Sequence, residues 1–511
     1  MVCSVKSFGL WGIDAFEVTV ETDILRGLPK VDMTGLPDSA VKESRDRVQS
    51  ALVNSGFRFP ERHLIINLAP GDRRKSGPVY DLPILIGILK TTSQLHADTD
   101  GFAFLGEAAL DGSLRGVTGA LSMALYAVQL GLKGIFLPLA NAQEACAVKG
   151  IDIYPAASLR EVVDHLEGKK LISPLKTLPF DSENISSAID FADVKGQLFA
   201  KQAMEIAAAG GHNLLLIGPP GTGKSMLAKR LPTILPPMTF DEAVETTRIH
   251  SAAGLLSGGG SLISQRPFRS PHHTVSPAGL TGGGSNPLPG EISLAHNGVL
   301  FLDEFPEFSR TALETLRQPM EDGTVTISRA KSRLSYPCRM MIVAAMNPCP
   351  CGFWGHPSQP CTCAAGAPRR YLNRISGPML DRLDLQAEVM PVDYNTLSSQ
   401  QKGESSADIR KRVVAARQIQ TERFKGSNTT CNAQMTSAQT AQYCKLSSDA
   451  SSFLAQVFDR LGLSPRTYDR LLKVSRTIAD LNSSDEITRE HISLAVQYRS
   501  LDRKYFGRQE G

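Results

Sequence analysis

Three stretches of the chain differ in how apolar and polar positions alternate. Between residues 1 and 172, "FEVTVETDI" and "HLIINLAP" alternate with a period of two and predict strands, while "DSAVKESRDRVQSALVNSG" carries its apolar residues at helical spacing. An α/β domain is expected there, followed by a polar, Ser-rich linker over 173–190. From 191 to 395, short apolar runs ("NLLLIG", "GVLFLDE", "MMIVAAMN") lie between helical segments, which is the pattern of a parallel sheet covered on both faces. From 396 to 511 the chain reads as helical: "DIRKRVVAARQIQTERF" and "ITREHISLAVQYRSL" repeat apolar residues every three to four positions, and no strand signal competes. The expected class is therefore α/β with a helical C-terminal lid.

Length and composition narrow the class further. At 511 residues the chain exceeds one ordinary domain, and 42% hydrophobic with 21% charged residues is the balance of a soluble globular protein. Met1 to Leu25 has neither a basic start nor a sustained apolar run, and nothing reaches the roughly 18 apolar residues of a membrane span, so a cytoplasmic location is expected. A net charge of +4 neither establishes nor opposes a nucleic-acid partner. Cys3, Cys146, Cys338, Cys431 and Cys444 are scattered, as suits reduced thiols.

Candidate chemistry concentrates in the middle stretch. Gly218, Pro219, Pro220, Gly221, Thr222, Gly223, Lys224 and Ser225 fit G-x-x-x-x-G-K-[ST] between a predicted strand and a predicted helix. The glycines let backbone amides curl round phosphates, Lys224 is suited to the β- and γ-phosphates, and Ser225 to Mg²⁺. A second apolar strand ends in Asp303, placed to hold Mg²⁺, and Glu304, placed to polarise an attacking water. A third delivers Asn347, a hydrogen-bonding side chain for that water. Arg382, Arg466 and Arg470 are the candidates for a cation that stabilises transferred charge. After Asn347, "NPCPCGFWGHPSQPCTC" sets Cys349, Cys351, Cys361 and Cys363 in two pairs that can close a structural zinc site, with His356 as a substitute ligand.

In this order, "GPPGTGKS", "LFLDE", "AAMN" and "LDRLDL" followed by a helical region resemble an AAA+ ATPase. More narrowly, "RPFRSPHHTVSPAGLTGGG" and "MNPCPCG" resemble the magnesium-chelatase-like family of YifB and ComM. The resemblance implies a hexameric ring with ATP sites between subunits, Asn347 as sensor 1, Arg382 as an arginine finger acting across subunits and Arg466 as the sensor 2 arginine. It also implies an ATP-driven helicase that promotes DNA branch migration in natural transformation, with single-stranded or branched DNA and recombination or competence proteins as partners. On that reading the hairpin "GTVTISRAKSRLSYP" presents Arg329, Lys331 and Arg333 to a phosphate backbone. A chelatase-type or chaperone-like ATPase that remodels a protein partner is the alternative.

Two further segments carry expectations. The insertion "SGGGSLISQRPFRSPHHTVSPAGLTGGGSNPLPGE" reads as a mobile lid or pore loop with a basic centre at Arg266, Arg269, His272 and His273. The first stretch resembles the Lon-protease-like domain of the same family, but Val79 stands at the position of the serine nucleophile and Ser122 near that of the lysine base, so peptidase activity is not expected. Arg73, Arg74 and Lys75 form a basic turn that could contact DNA.

Overall fold

The computed structural model describes residues 2–175, 180, 189–256, 262–284, 287–329, 332–356, 358–398 and 403–507. In its first part the period-two segments assemble a seven-stranded mixed sheet in the spatial order Lys30–Thr34, His63–Ala69, Asp14–Leu25, Cys3–Trp11, Phe102–Phe104, Gly134–Pro138, Asp152–Ala156. The predicted helix runs from Ser39 to Asn54, started by the Asp38 carboxylate, which accepts from the Val41 amide at 2.9 Å. The helix Asp81–Thr91 ("DLPILIGILKT") is apolar on nearly every face and is accordingly buried between sheet and neighbours. Val79 is part of this core. The basic turn offers only Arg73 and Arg74 to solvent: Lys75 is fully buried, donates to the Pro70 carbonyl and cannot meet DNA.

The second part is a five-stranded, wholly parallel sheet in the order Phe268–Arg269, Val299–Leu302, Met341–Met346, Leu214–Ile217, Leu385–Glu388. Its strands are continuous buried runs because both faces are covered. On one face the helix Leu198–Gly210 and the C-terminal helices Ser406–Arg423, Pro465–Leu481 and Arg489–Gln497 share a single apolar cluster with Leu214 and Leu216. The helical region is thus packed onto the sheet, with Ile409, Val413, Ile478 and Ala495 in that common core. Within it Asp480, 2% exposed, accepts from Arg423 (2.5 and 2.8 Å), Arg476 (3.0 Å) and Asn432 (2.7 Å).

The two sheets meet through the helix Phe240–Ala252. Arg248 donates to Asp14 (2.7 Å), the Ile13 carbonyl (3.2 Å) and Ser122 Oγ (3.2 Å), so Ser122 serves a packing contact between the two parts. Ser251 donates to Glu144 at 2.7 Å and accepts from the Gly119 amide. Ile13 also packs against Leu334 and Tyr336, which anchors the base of the hairpin Thr324–Arg329 and Ser332–Pro337.

The insertion carries regular structure. Among its described residues, Phe268–Arg269 forms the edge strand of the sheet and Pro277–Thr281 a short helix. Arg266 is not a free cation: it donates to Glu242 (2.8 Å) and to the carbonyls of Pro236 and Asn297, both at 2.7 Å. Arg269 makes a bidentate pair with Glu291, both bonds 2.7 Å. No described helix is long and apolar enough to cross a membrane.

Candidate nucleotide site

The site lies where three neighbouring parallel strands end. The phosphate loop leaves the strand Leu214–Ile217 at Gly218, and the turn is possible because Gly221 and Gly223 adopt φ of +78° and +91°. Lys224 then opens the helix Lys224–Arg230 and points back into the loop. It donates to the carbonyls of Gly218 (2.7 Å) and Pro219 (2.8 Å) and to Asn347 Oδ1 (3.0 Å), which arrives from the end of Met341–Met346. Only 8% exposed, Lys224 has its pKa pulled down to about 8 by burial, with Asp303 opposing the shift.

Ser225 Oγ donates to Asp303 Oδ2 at 2.6 Å, bringing together the two oxygen ligands expected for Mg²⁺. An all-oxygen donor pair beside a phosphate cradle suits that hard cation. Glu304 follows with φ +51°, a left-handed conformation that a non-glycine residue adopts at a cost of about 1–2 kcal/mol, and its amide donates to Asp303 Oδ1 at 3.0 Å. The Glu304 carboxylate is met by His273 Nδ1 at 2.9 Å. His273 also packs against His272 and the Phe308 ring. Its pairing with Glu304 was absent from the expectations, because the contact spans an insertion; the one available signal was a histidine pair just beyond the edge strand.

The arginines lie elsewhere. Arg382 sits just before the strand Leu385–Glu388, which runs parallel to the phosphate-loop strand with Leu214 opposite Leu385. It is therefore at the opposite end of the sheet from Gly218, separated by about 13 Å of strand. Almost buried, it pairs with Glu321 and donates to the Pro378 carbonyl at 2.7 Å. Arg470 approaches Asp384 at 3.7 Å on that same edge. Arg466, one helical turn earlier on the same helix face, is exposed.

The four loop cysteines converge, with all Sγ atoms within 4.8 Å of one another. Separations of 3.3, 3.5 and 3.8 Å among Cys349, Cys351 and Cys361 are close to the roughly 3.8 Å edge of a zinc tetrahedron with bonds of about 2.3 Å, and far from a disulfide's roughly 2.05 Å. The Trp354 amide donates to Cys349 Sγ at 3.3 Å. His356 instead accepts from the backbone of Ser358 and Gln359. In the hairpin, Arg333 is exposed opposite Ser328; Lys331 and the Arg329 side chain lie outside the described residues.

Comparison with known proteins identifies the family. Residues 190–397 match the family described as magnesium chelatase, subunit ChlI; residues 20–141 match subunit ChlI of Mg-chelatase, and 403–499 its C-terminal region. An uncharacterized protein YifB of Escherichia coli K12 is 47% identical over 494 residues, 96% of each chain. Competence protein ComM of Haemophilus influenzae is 44% identical over 510 residues, 98% of this chain and 97% of that one. DNA replication licensing factor mcm6 of Dictyostelium discoideum is 27% identical over 190 residues, covering 37% of this chain and 18% of its own. With a parallel phosphate-loop sheet, a packed helical C-terminal region and likeness over nearly its full length, the chain belongs to the magnesium-chelatase-like AAA+ family of YifB and ComM.

Proposed function

We propose that the protein is an ATP-hydrolysing DNA motor that works as a homohexamer and drives branch migration in natural transformation and recombination. The observation that carries this reading is the division of the proposed reacting groups between the two ends of one set of parallel strands. Lys224, Ser225, Asp303, Glu304 and Asn347 stand at one end of the strands and Arg382 at the other. Arg382 stands at the strand end away from its own chain's phosphate loop, and on this reading the Arg382 of a second copy completes the site. Arg466 and Arg470 begin a helix on the Arg382 side, which suits the same neighbour.

On this reading Lys224 exchanges the Gly218 and Pro219 carbonyls for phosphate oxygens, and Ser225 with Asp303 holds Mg²⁺. Bound there, Mg²⁺ would neutralise charge on the β- and γ-phosphates. Glu304 takes the proton of the attacking water, His273 positions its carboxylate, and Asn347 orients water and γ-phosphate. Arg382 of a neighbour exchanges Glu321 for the charge that develops on transfer. The Cys₄ loop holds structural zinc, and Arg329, Lys331 and Arg333 on the hairpin track DNA. The competence protein among the relatives and the distant licensing factor support a DNA partner.

ATP turnover measured with and without single-stranded and branched DNA, alongside particle mass, tests the proposal. Stimulation by DNA in a hexamer is expected; turnover that ignores DNA but rises with a protein partner would favour a chelatase-type or chaperone-like remodeller instead. The chelatase descriptions of all three matched family regions keep that second reading in view.

A further inference from the structure

The cysteine cluster and the nucleotide site share a wall. Cys349 follows Asn347 by two residues, and Asn347 accepts from Lys224 at 3.0 Å. Gly352, in the turn after Cys351, has φ +86° and lies so close to Pro220 of the phosphate loop that a Cβ there would stand 2.4 Å from Pro220 Cδ. On its other side the loop leans on the C-terminal helix Leu501–Phe506: Trp354 meets Tyr505 edge to face with centroids 5.7 Å apart. The Tyr505 hydroxyl in turn donates to Glu388 at 2.5 Å, at the end of the strand that borders the phosphate-loop strand. The turn is wedged between the phosphate loop and a fixed helix.

We propose that zinc bound by Cys349, Cys351, Cys361 and Cys363 clamps the phosphate loop through Gly352, so that affinity for ATP depends on the metal. The inference rests on the zinc and ATP readings above. A Gly- and Pro-rich loop whose described residues form no helix or strand between the cysteine pairs has no ladder to define its shape, whereas four thiolates on one ion would fix both ends to each other. The shape so fixed decides where Gly352 presses on Pro220, a residue that lacks an N–H and serves the loop by shape alone. The amides that follow Pro220 must all face the phosphates, and a displacement of about 1 Å can cost about a hundredfold.

The test uses the full-length protein purified without chelator. Zinc per chain and the Kd for a fluorescent mant-ATP are measured before treatment with 1,10-phenanthroline, after it, and after zinc is restored, with circular dichroism to follow the fold. About one zinc per chain, a Kd at least about tenfold higher on its removal, and recovery with added zinc are expected. Gly352→Ala should keep its zinc yet raise the Kd in the same direction, and Gln359→Ala, on the exposed outer turn, should change neither value. If removal of zinc unfolds the chain, Gly352→Ala decides, because its metal stays bound. A Kd within about twofold of the starting value in folded, zinc-free protein, or in zinc-loaded Gly352→Ala, overturns the coupling while leaving both underlying readings intact. Well under one zinc in the untreated protein overturns the zinc reading. Failure of untreated, zinc-loaded protein to bind mant-ATP overturns the ATP reading.

Discussion

Raising the pH from about 7 to about 9 should weaken ATP binding about tenfold, and Lys224 is the reason. An ordinary lysine stays charged to about pH 10, so a phosphate loop built on one would be indifferent over this range. Here burial brings Lys224 to about 8, and the attraction of Asp303 only partly opposes the shift. The ammonium form that binds phosphate is then about nine-tenths populated near pH 7 and about one-tenth near pH 9. Since apparent affinity scales with the population of the competent form, Kd rises by the same ratio, worth about 1.4 kcal/mol. Binding should also take up a proton in that window, which calorimetry in buffers of different ionisation heat reads directly. The sign for stability follows from the same depression. Unfolded chains keep the proton up to the ordinary value of 10.5, so the folded state without nucleotide gains stability as pH climbs from about 8 towards 10.5. A mant-ATP titration at several pH values is the assay. A flat Kd across the range, or the same slope in Lys224→Arg, whose charge does not titrate there, would refute the reasoning.

Other expectations come from the same geometry. Glu304→Gln should keep ATP bound while hydrolysis in single-turnover assays falls by about a hundredfold or more; hydrolysis at the wild-type rate would remove Glu304 from its role. Arg382→Ala should bind ATP normally but lose about a thousandfold or more in turnover, and mixing it with Lys224→Ala should restore part of the rate if the arginine acts across subunits. Asp480→Ala removes the buried carboxylate that Arg423 and Arg476 share within the helical region and should cost about 3–5 kcal/mol in denaturant unfolding; a loss below about 1 kcal/mol would show the network to be dispensable.

The elements that sequence disclosed were those whose signal is local. The phosphate loop and the acidic pair are contiguous motifs attached to apolar runs, and the alternation in "HLIINLAP" fixes a strand without knowledge of its neighbours. What escaped depends on partners distant along the chain. Arg266 and Arg269 read as free cations because Glu242 and Glu291 lie 24 and 22 positions away, and only the fold brings them into contact. His273 reaches Glu304 because its insertion contributes an edge strand first, an outcome that two residues, Phe268 and Arg269, are too short to announce. Periodicity likewise announced the helix Ser406–Arg423, though not that it would share a core with the nucleotide sheet. Lys75 appeared in the sequence as one of three adjacent cations, and its burial follows from a turn geometry that charge patterning does not encode.

The central claim is that ATP turnover in this chain moves DNA. A labelled four-way junction incubated with protein and ATP measures it most directly. ATP-dependent conversion to branch-migrated products by the wild type, and none by Glu304→Gln, is the expected result. A wild-type protein that hydrolyses ATP at full rate yet leaves the junction intact, beside a working control motor, would contradict it.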